Sequence, residues 1–577
     1  MRFCLPLCAV VLLLAANPAP TSADANAVLA WRCPELTGLR YVRTNEMPRA
    51  YIGGPRFGDD LVVLRANVSS TGAVTLPGNW GAPGAEIAFR IAAAVSGKPV
   101  KTTRWSAKFD HTSHPRALAV LPDVVSAEYT LKGIEGDIAQ ISVKATGEDT
   151  EAAGANQKKG PVSIQMDVQF DLANGWLHAF KGTYTGTEYG REAKHEFVYE
   201  LRGQVSFDSR PAFDAAVARA IQKGCKVMDD MPESWRRADY AALAAYTYLQ
   251  CSRGVSDQHV QQALRRMIKE DGSTRYIQLY HAAAVVLAIE AKYITDDERR
   301  LVAKGQRPGA IKRALTDADK SAMKHAIDYI AGGQADNAPG LYSYGSDIGK
   351  GQPPDLSNTQ FAALALAAAA RCEIELPVGL VRDMGENLAG FQQADGPDVY
   401  RIKGKGKRGW EYERYPDKAR GFAYKGPGMP VSVAAGNGSM TGAGVCSLLL
   451  LLDTYETWPA ERQKKEIEPS KAKAWMNAVQ KNADCGIAWL THNYSVSENP
   501  MAGGNDYYYY YLYALERVGA FAPTEYIGEH EWYLEGALTL LLRQSEAGAW
   551  GKIEDTCFAL LFLGRATTPA RRPITGK

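Results

Sequence analysis

The chain has 577 residues, of which 46% are apolar and 23% charged, which excludes wholesale disorder and a multi-span membrane protein. Lysine plus arginine (66) nearly balances aspartate plus glutamate (64), and a net charge of +2 gives no electrostatic footprint for nucleic acid or an anionic membrane. The length allows about three or four domain-sized units.

Residues 1–25 read as a signal peptide. Arg2 supplies the positive start and an apolar stretch runs from Leu5 to Ala16. Small residues lead to Ala23-Asp24-Ala25, a cleavage site after Ala25 or after Ala23. The expected location is secreted or periplasmic. Cys8 lies inside the apolar run, which argues against a lipoprotein anchor. Leu448 to Leu452 is apolar but Asp453 ends it, so no transmembrane segment is expected. Cys4 and Cys8 leave with the signal. Cys33, Cys225, Cys251, Cys372, Cys446, Cys485 and Cys557 remain, an odd and widely spaced set that reads mainly as buried apolar residues. Export would permit a Cys33–Cys225 bridge.

Residues 26–210 read as an antiparallel β domain, a sandwich or open barrel. The segments Leu61–Val68, Glu86–Val95, Thr102–Phe109, Ala127–Leu131, Ile138–Ala145, Val162–Phe170, Trp176–Thr185 and His195–Phe207 are rich in β-branched and aromatic residues. Gly133–Asp137 and Asp171–Gly175 read as hairpin connections, and Gly147 to Gly160 as a polar loop. His111 and His114, three apart, read as solvated loop residues, with a metal pair as the alternative.

From 211 to 566 the apolar spacing is helical, and residues 567–577 form a tail. Six segments are apolar nearly all round: Ala238–Gln250, Thr274–Ala291, Ser357–Arg371, Ser439–Tyr455, Asp506–Val518 and Asp555–Gly564. Each follows an amphipathic segment: Phe213–Lys223, Ser256–Ile268, Asp317–Ile330, Val378–Phe391, Ser470–His492 and Trp532–Arg543. A helix that is apolar all round needs cover on most sides. Six such helices with six amphipathic partners fit two concentric rings, an α/α toroid, with an open solenoid as the alternative.

Two local patterns repeat. Asn358-Thr359-Gln360-Phe361-Ala362 aligns with Asp555-Thr556-Cys557-Phe558-Ala559, and more loosely with Met440-Thr441-Gly442-Ala443-Gly444. Gln544 to Trp550 is a Q-x3-G-x-W. Gln334 to Tyr342 is a stretched version, and Gln393-Ala394-Asp395-Gly396 is a third whose aromatic half is expected at Gly409-Trp410-Glu411-Tyr412. At a helix exit, glutamine can bond free backbone groups, glycine makes the turn, and the aromatic ring wedges between helix pairs.

These residues resemble the squalene-cyclase and protein-prenyltransferase superfamily, whose repeats form an α/α toroid and carry such Q–W motifs. The Asn493 to Leu515 stretch, with Ser497-Glu498-Asn499-Pro500 and a tyrosine run, is similar to secreted bacterial members of uncharacterised function. The resemblance covers about 211–566 and implies a fold rather than an activity. The cyclases' Asp-x-Asp-Asp acid is absent; Met228-Asp229-Asp230 lacks its first aspartate. The prenyltransferases' zinc-binding Asp-x-Cys is matched by Asp555-Thr556-Cys557, without a later histidine. A third ligand would have to come from His281, His492 or His530. The favoured reading is that Asp555 caps its helix and Cys557 is buried, so that no cofactor is expected.

Candidate ligand-binding residues are Tyr507, Tyr510 and Tyr511 from the run Asp506–Tyr513, since consecutive helix positions cover every azimuth. Asn358 and Gln360 at an inner-helix entry join them. Trp410 and Tyr412 come from Asp395–Gly438, read as a long loop with Lys403, Lys405, Lys407 and Arg408. Glu411, Glu498, Asp506 and Asp555 are carboxylates near the expected mouth, and Asp506, Asp555 and Glu498 are the catalytic candidates. The expected function is an exported toroid holding an apolar or polymeric ligand in its cavity, enzyme or not. The alternatives are a cell-envelope binding or scaffold protein and a glycan-cleaving enzyme.

Overall fold

The computed structural model describes residues 28–29, 31, 36–44, 60–64, 83–95, 98–99, 102–110, 124–148, 161–188, 191–230, 238–268, 278–303, 312–335, 337–344, 353–406, 409–426, 436–502, 507–522 and 524–565. The expected signal peptide, His111, His114 and Asp506 lie outside them.

The N-terminal part is one eight-stranded antiparallel sheet. In chain order its strands are β1 (Leu36–Arg43), β2 (Asp60–Leu64), β3 (Arg104–Asp110), β4 (Val124–Glu135), β5 (Ile138–Gly147), β6 (Val162–Asp171), β7 (Trp176–Glu188) and β8 (Arg191–Phe207). The spatial order is β2-β1-β8-β7-β6-β5-β4-β3. Side chains alternate strictly: Val162, Ile164, Met166, Val168 and Phe170 of β6 are buried while Ser163, Gln165 and Asp167 are exposed. The connections at Gly136-Asp137 and Leu172–Gly175 are turns, with Gly136 and Gly175 at positive φ.

A helix covers the buried face. Helix α1 (Pro83–Ala93) occupies the segment expected as the strand Glu86–Val95. Ile87, Phe89 and Ile91 alternate as a strand would, but Ala88 and Arg90 between them are buried too, as are Ala92 and Ala93. Short apolar runs do not reveal their period when every side is covered. The helix's last carbonyls are taken up at long range: the Tyr129 hydroxyl donates to Ile91 O at 2.9 Å and Trp31 Nε1 to Ala93 O at 3.1 Å. Strand β1, which pairs with both β8 and β2, carried no clear alternation in sequence.

Among the described residues fourteen α-helices follow. Six are buried nearly all round: α3 (Ala238–Gln250), α5 (Leu279–Ala291), α8 (Leu356–Arg371), α10 (Gly438–Thr457), α13 (Tyr508–Phe521) and α15 (Ile553–Leu563). Each packs against the next, and α15 packs against α3. Against their outer sides lie α2 (Arg210–Asp229), α4 (Gln258–Met267), α7 (Asp317–Gly332), α9 (Leu380–Asn387), α12 (Pro469–His492) and α14 (Trp532–Arg543). Two short helices, α6 (Asp296–Ala303) and α11 (Ala460–Glu466), add to the expected twelve. Among the described residues no helix is long and apolar enough to cross a membrane. The sheet docks through β1, β2 and β8 on α14. Gly38 makes room there, since a Cβ would stand 2.9 Å from Leu542 Cδ1.

The 395–438 insertion is not the long loop expected: Asp398–Gly406 and Gly409–Lys418 form an antiparallel hairpin. It also displaces the third glutamine motif's aromatic. Gln393 Oε1 accepts the Gly421 N–H at 2.8 Å, so Phe422, fully buried, takes the wedge position rather than Trp410 or Tyr412. Cys225, Cys251, Cys372, Cys446, Cys485 and Cys557 are free thiols; Cys33 lies outside the described residues.

Candidate functional site

The entries of three of the six buried helices, α8, α10 and α15, share one construction. The N–H groups of Tyr342, Phe422 and Trp550 donate to the hydroxyls of Thr359, Thr441 and Thr556 at 3.1, 3.0 and 3.0 Å. Each threonine stands four residues after its helix's N-cap, Asp355, Asn437 or Lys552. The glutamines of the three motifs close the preceding turns. Gln334 Oε1 accepts the Gly340 N–H at 2.7 Å, and Gln544 Nε2 donates to Ala220 O and Gly548 O, both at 2.9 Å. Gly340 and Gly548 adopt φ +77° and +105°, conformations that glycine takes at little cost.

Helix entries bring together a cluster of hydroxyls and aromatic rings. Tyr280 enters from α5, Ser357, Gln360 and Phe361 from α8, Tyr510 from α13, and Tyr344 from the segment before α8. The Tyr280 hydroxyl donates to Ser357 Oγ at 2.7 Å, Ser357 donates to Tyr510 Oη at 3.3 Å, and Tyr510 donates to Gln360 Oε1. Tyr344 Oη lies 3.0 Å from Tyr280 Oη. Since the Tyr280 proton is committed to Ser357, Tyr344 is the donor of that pair. Four hydrogen bonds therefore run in one direction, from Tyr344, 47% exposed, to Gln360, fully buried. Phe361 packs edge-on to Tyr280 at 4.7 Å and stacks on Tyr510 at 6.3 Å, and Phe558 of α15 lies 5.6 Å from Tyr510. Burial pushes the Tyr280, Tyr344, Tyr424 and Tyr510 phenols up from their ordinary value. They are neutral hydrogen-bonding groups at neutral pH, not phenolate bases.

The sequence candidates divide. Gln360 and Tyr510 belong to the cluster. Tyr507 is 73% exposed just before α13, at φ +57°. Tyr511 does not: its hydroxyl donates to Ser495 O at 2.7 Å, and with Tyr508, which donates to Val496 O at 2.6 Å, it anchors the turn before Pro500. Asn358 is buried against the Asp355 carboxylate, donating through its backbone N–H at 2.9 Å and through Nδ2. Trp410 packs edge-on to Tyr526 at 5.1 Å and Tyr412 bonds Glu529, tying the hairpin to the turn before α14. Glu498 is half-buried, with its N–H on Ser495 Oγ at 3.2 Å.

Asp555 is a cap. Its carboxylate accepts the Lys552 N–H at 3.0 Å, and burial raises its pKa above the ordinary value. Burial also pushes the Cys557 thiol up to about 12, as for a cysteine packed as a small apolar residue. His530 stacks on Tyr494 at 4.0 Å and faces Glu535 at 3.2 Å. Among the described residues no group of three His, Cys, Asp or Glu side chains is placed to hold a metal ion.

Sequence reading missed Tyr280, Ser357, Tyr344 and Arg517. Tyr280 and Ser357 stand at helix entries, as Gln360 does, and Arg517 interrupts an apolar helix. No family model matches the chain, and neither a curated protein nor a solved structure matches it.

Proposed function

We propose that this is an exported α/α toroid of the squalene-cyclase and prenyltransferase kind, binding an apolar or polymeric ligand at the tyrosine-lined end of its inner ring. The order of helix contacts, closing from α15 back to α3, supports the toroid over an open solenoid. The observation that carries the binding site is the run of hydroxyls from exposed Tyr344 through Tyr280, Ser357 and Tyr510 to Gln360, set among Phe361 and Phe558. Ring faces take apolar or sugar surfaces, and neutral hydroxyls supply orientation. Without an Asp-x-Asp-Asp acid, the ligand is not protonated in the way those cyclases do it.

The test is native mass spectrometry of the purified chain, followed by binding of the retained class. Tyr344→Ala should weaken binding without lowering stability. A wild type that retains nothing and binds neither an isoprenoid nor a glycan panel sinks the reading. That result would favour the second one, a cell-envelope scaffold. Phe361, Tyr510, Tyr513 and Phe558, packed together in the ring interior, are the observation on its side.

A further inference from the structure

Arg517 belongs to the core of the helical ring, but the two Nη atoms of its guanidinium take no part in its hydrogen bonds. Helix α13 carries Tyr510, Tyr513 and Arg517 at spacings of three and four, on one face. Arg517 is 1% exposed, and its guanidinium carbon lies 3.2 Å from the centre of the Tyr513 ring. The ring covers one face of the guanidinium. The polar edge is different: neither Nη1 nor Nη2 has a hydrogen-bond partner in the protein.

The groups that act on Arg517 supply no counter-charge, although buried Glu516 acts on the same Tyr246 and Cys446. The groups that act on Arg517 are Tyr246, Cys446 and Tyr510, and burial keeps all three neutral. Burial lowers the guanidinium pKa to about 10, so it stays charged at neutral pH. Arg313, similarly buried, shows the ordinary solution, with Glu290 at 3.1 Å and Glu298 at 2.6 Å. The Tyr513 hydroxyl, on the ring that covers the guanidinium, lacks a partner, and so does Nε2 of Gln360, whose Oε1 holds Tyr510. A buried cation beside spare donors, with no acceptor, is the inverse of an oxyanion.

We infer that Arg517 anchors an oxyanion-binding site inside the helical ring, taking a carboxylate or phosphate group on Nη1 and Nη2 with the Tyr513 hydroxyl and Gln360 Nε2 as auxiliary donors. The planar fork of arginine matches two oxygens of either group. The site shares Gln360 with the inner end of the hydroxyl run, but Arg517 and Tyr513 are not members of that run, so a ligand held at exposed Tyr344 would not sense Arg517.

The test is thermal unfolding of the full chain at constant ionic strength, with chloride replaced by phosphate or by acetate. The wild-type Tm should rise saturably with one of them, and which one identifies the group. Arg517→Met should lose the response and, without the anion, unfold no lower than wild type, because an uncompensated charge has gone. Arg517→Lys keeps the charge but loses the fork, and should respond only at higher anion concentration. Cys446→Asp supplies a carboxylate from within. It should raise the baseline Tm and silence the response, a readout that holds even where the methionine variant does not fold. Tyr344→Ala should leave the anion response unchanged. A wild type indifferent to both anions, or an equal response in Arg517→Met, overturns the site.

Discussion

The N–H of Trp550 donates to the Thr556 hydroxyl at 3.0 Å, and that hydroxyl lies within 3.0 Å of Trp550 O and 3.1 Å of Lys552 O. One side chain thus ends the wedge segment and begins the next helix. Thr359 and Thr441 do the same for Tyr342 and Phe422. Thr→Val at any of the three leaves a buried N–H unpaired and should cost about 1–3 kcal/mol. Thr→Ser should recover most of it. Urea unfolding measures the difference; valine variants as stable as wild type would show that the bond does not hold the joint.

Asp555→Ala should cost about 0.5–2 kcal/mol, the range for a lost helix cap. Cys557→Ser should bring only a small packing loss. Elemental analysis of the purified chain decides between a cap and a ligand. Stoichiometric zinc, released by Cys557→Ser, would contradict the cap and restore a prenyltransferase-like site.

Glu466, fully buried, accepts the N–H groups of Gly379, Val381 and Arg382 at 3.0, 2.9 and 3.0 Å. It caps α9 from 84 to 87 residues away, where Gly379, in the left-handed region, has no side chain to do so. Glu466→Ala should cost about 3 kcal/mol, since several charge-assisted bonds are lost together. Amide exchange at Val381 and Arg382 should quicken selectively. Unchanged protection there would mean that the cap contributes nothing to α9.

Glu290 is held between Arg371 Nε at 2.5 Å and Arg313 Nε at 3.1 Å. Burial alone would raise its pKa, but the two guanidinium groups outweigh it and the net shift is downward. A carboxyl depressed in the folded state stabilises fully above its unfolded pKa, about 4.3, and loses that contribution as pH falls through the folded value. Glu290→Ala should cost about 3 kcal/mol at neutral pH, chiefly by taking the carboxylate from half-buried Arg371, since Arg313 keeps Glu298. Glu290→Gln should flatten the acid limb of stability below about pH 4.3. An acid limb identical to wild type would remove Glu290 from the titration.

Helix type and order were legible from residue 211 onward because helices that are apolar all round alternate with amphipathic ones. The shared threonine register of Thr359, Thr441 and Thr556 could be aligned for the same reason. The Glu86–Val95 segment misled because a helix buried on every side shows no 3.6-residue period. The glutamine motif at Gln393 misled because its aromatic, Phe422, lies beyond a hairpin that sequence spacing cannot fold away. In the site, Gln360 and Tyr510 were legible as polar groups at helix entries. Tyr511 was not separable from Tyr510 by type, only by azimuth. Asn358 was spent on Asp355, three residues back, a local bond that a repeat alignment does not reveal. Arg517 was visible as a charge in an apolar helix, but its lack of a partner is a property of six helices meeting.

Gln544 holds the carbonyl of Ala220, 324 residues earlier, and the Cys251 thiol lies against Leu560 O, 309 residues later. The seam between α15 and α3 therefore joins segments that are made about 300 residues apart. Until residue 563 has been made, the flanks of α2 and α3 that α15 covers stay bare, however well the intervening helices have paired. A premature stop within α15 should yield not a slightly weaker protein but one with an open seam. The adhesive edges so exposed would meet their counterparts on other copies.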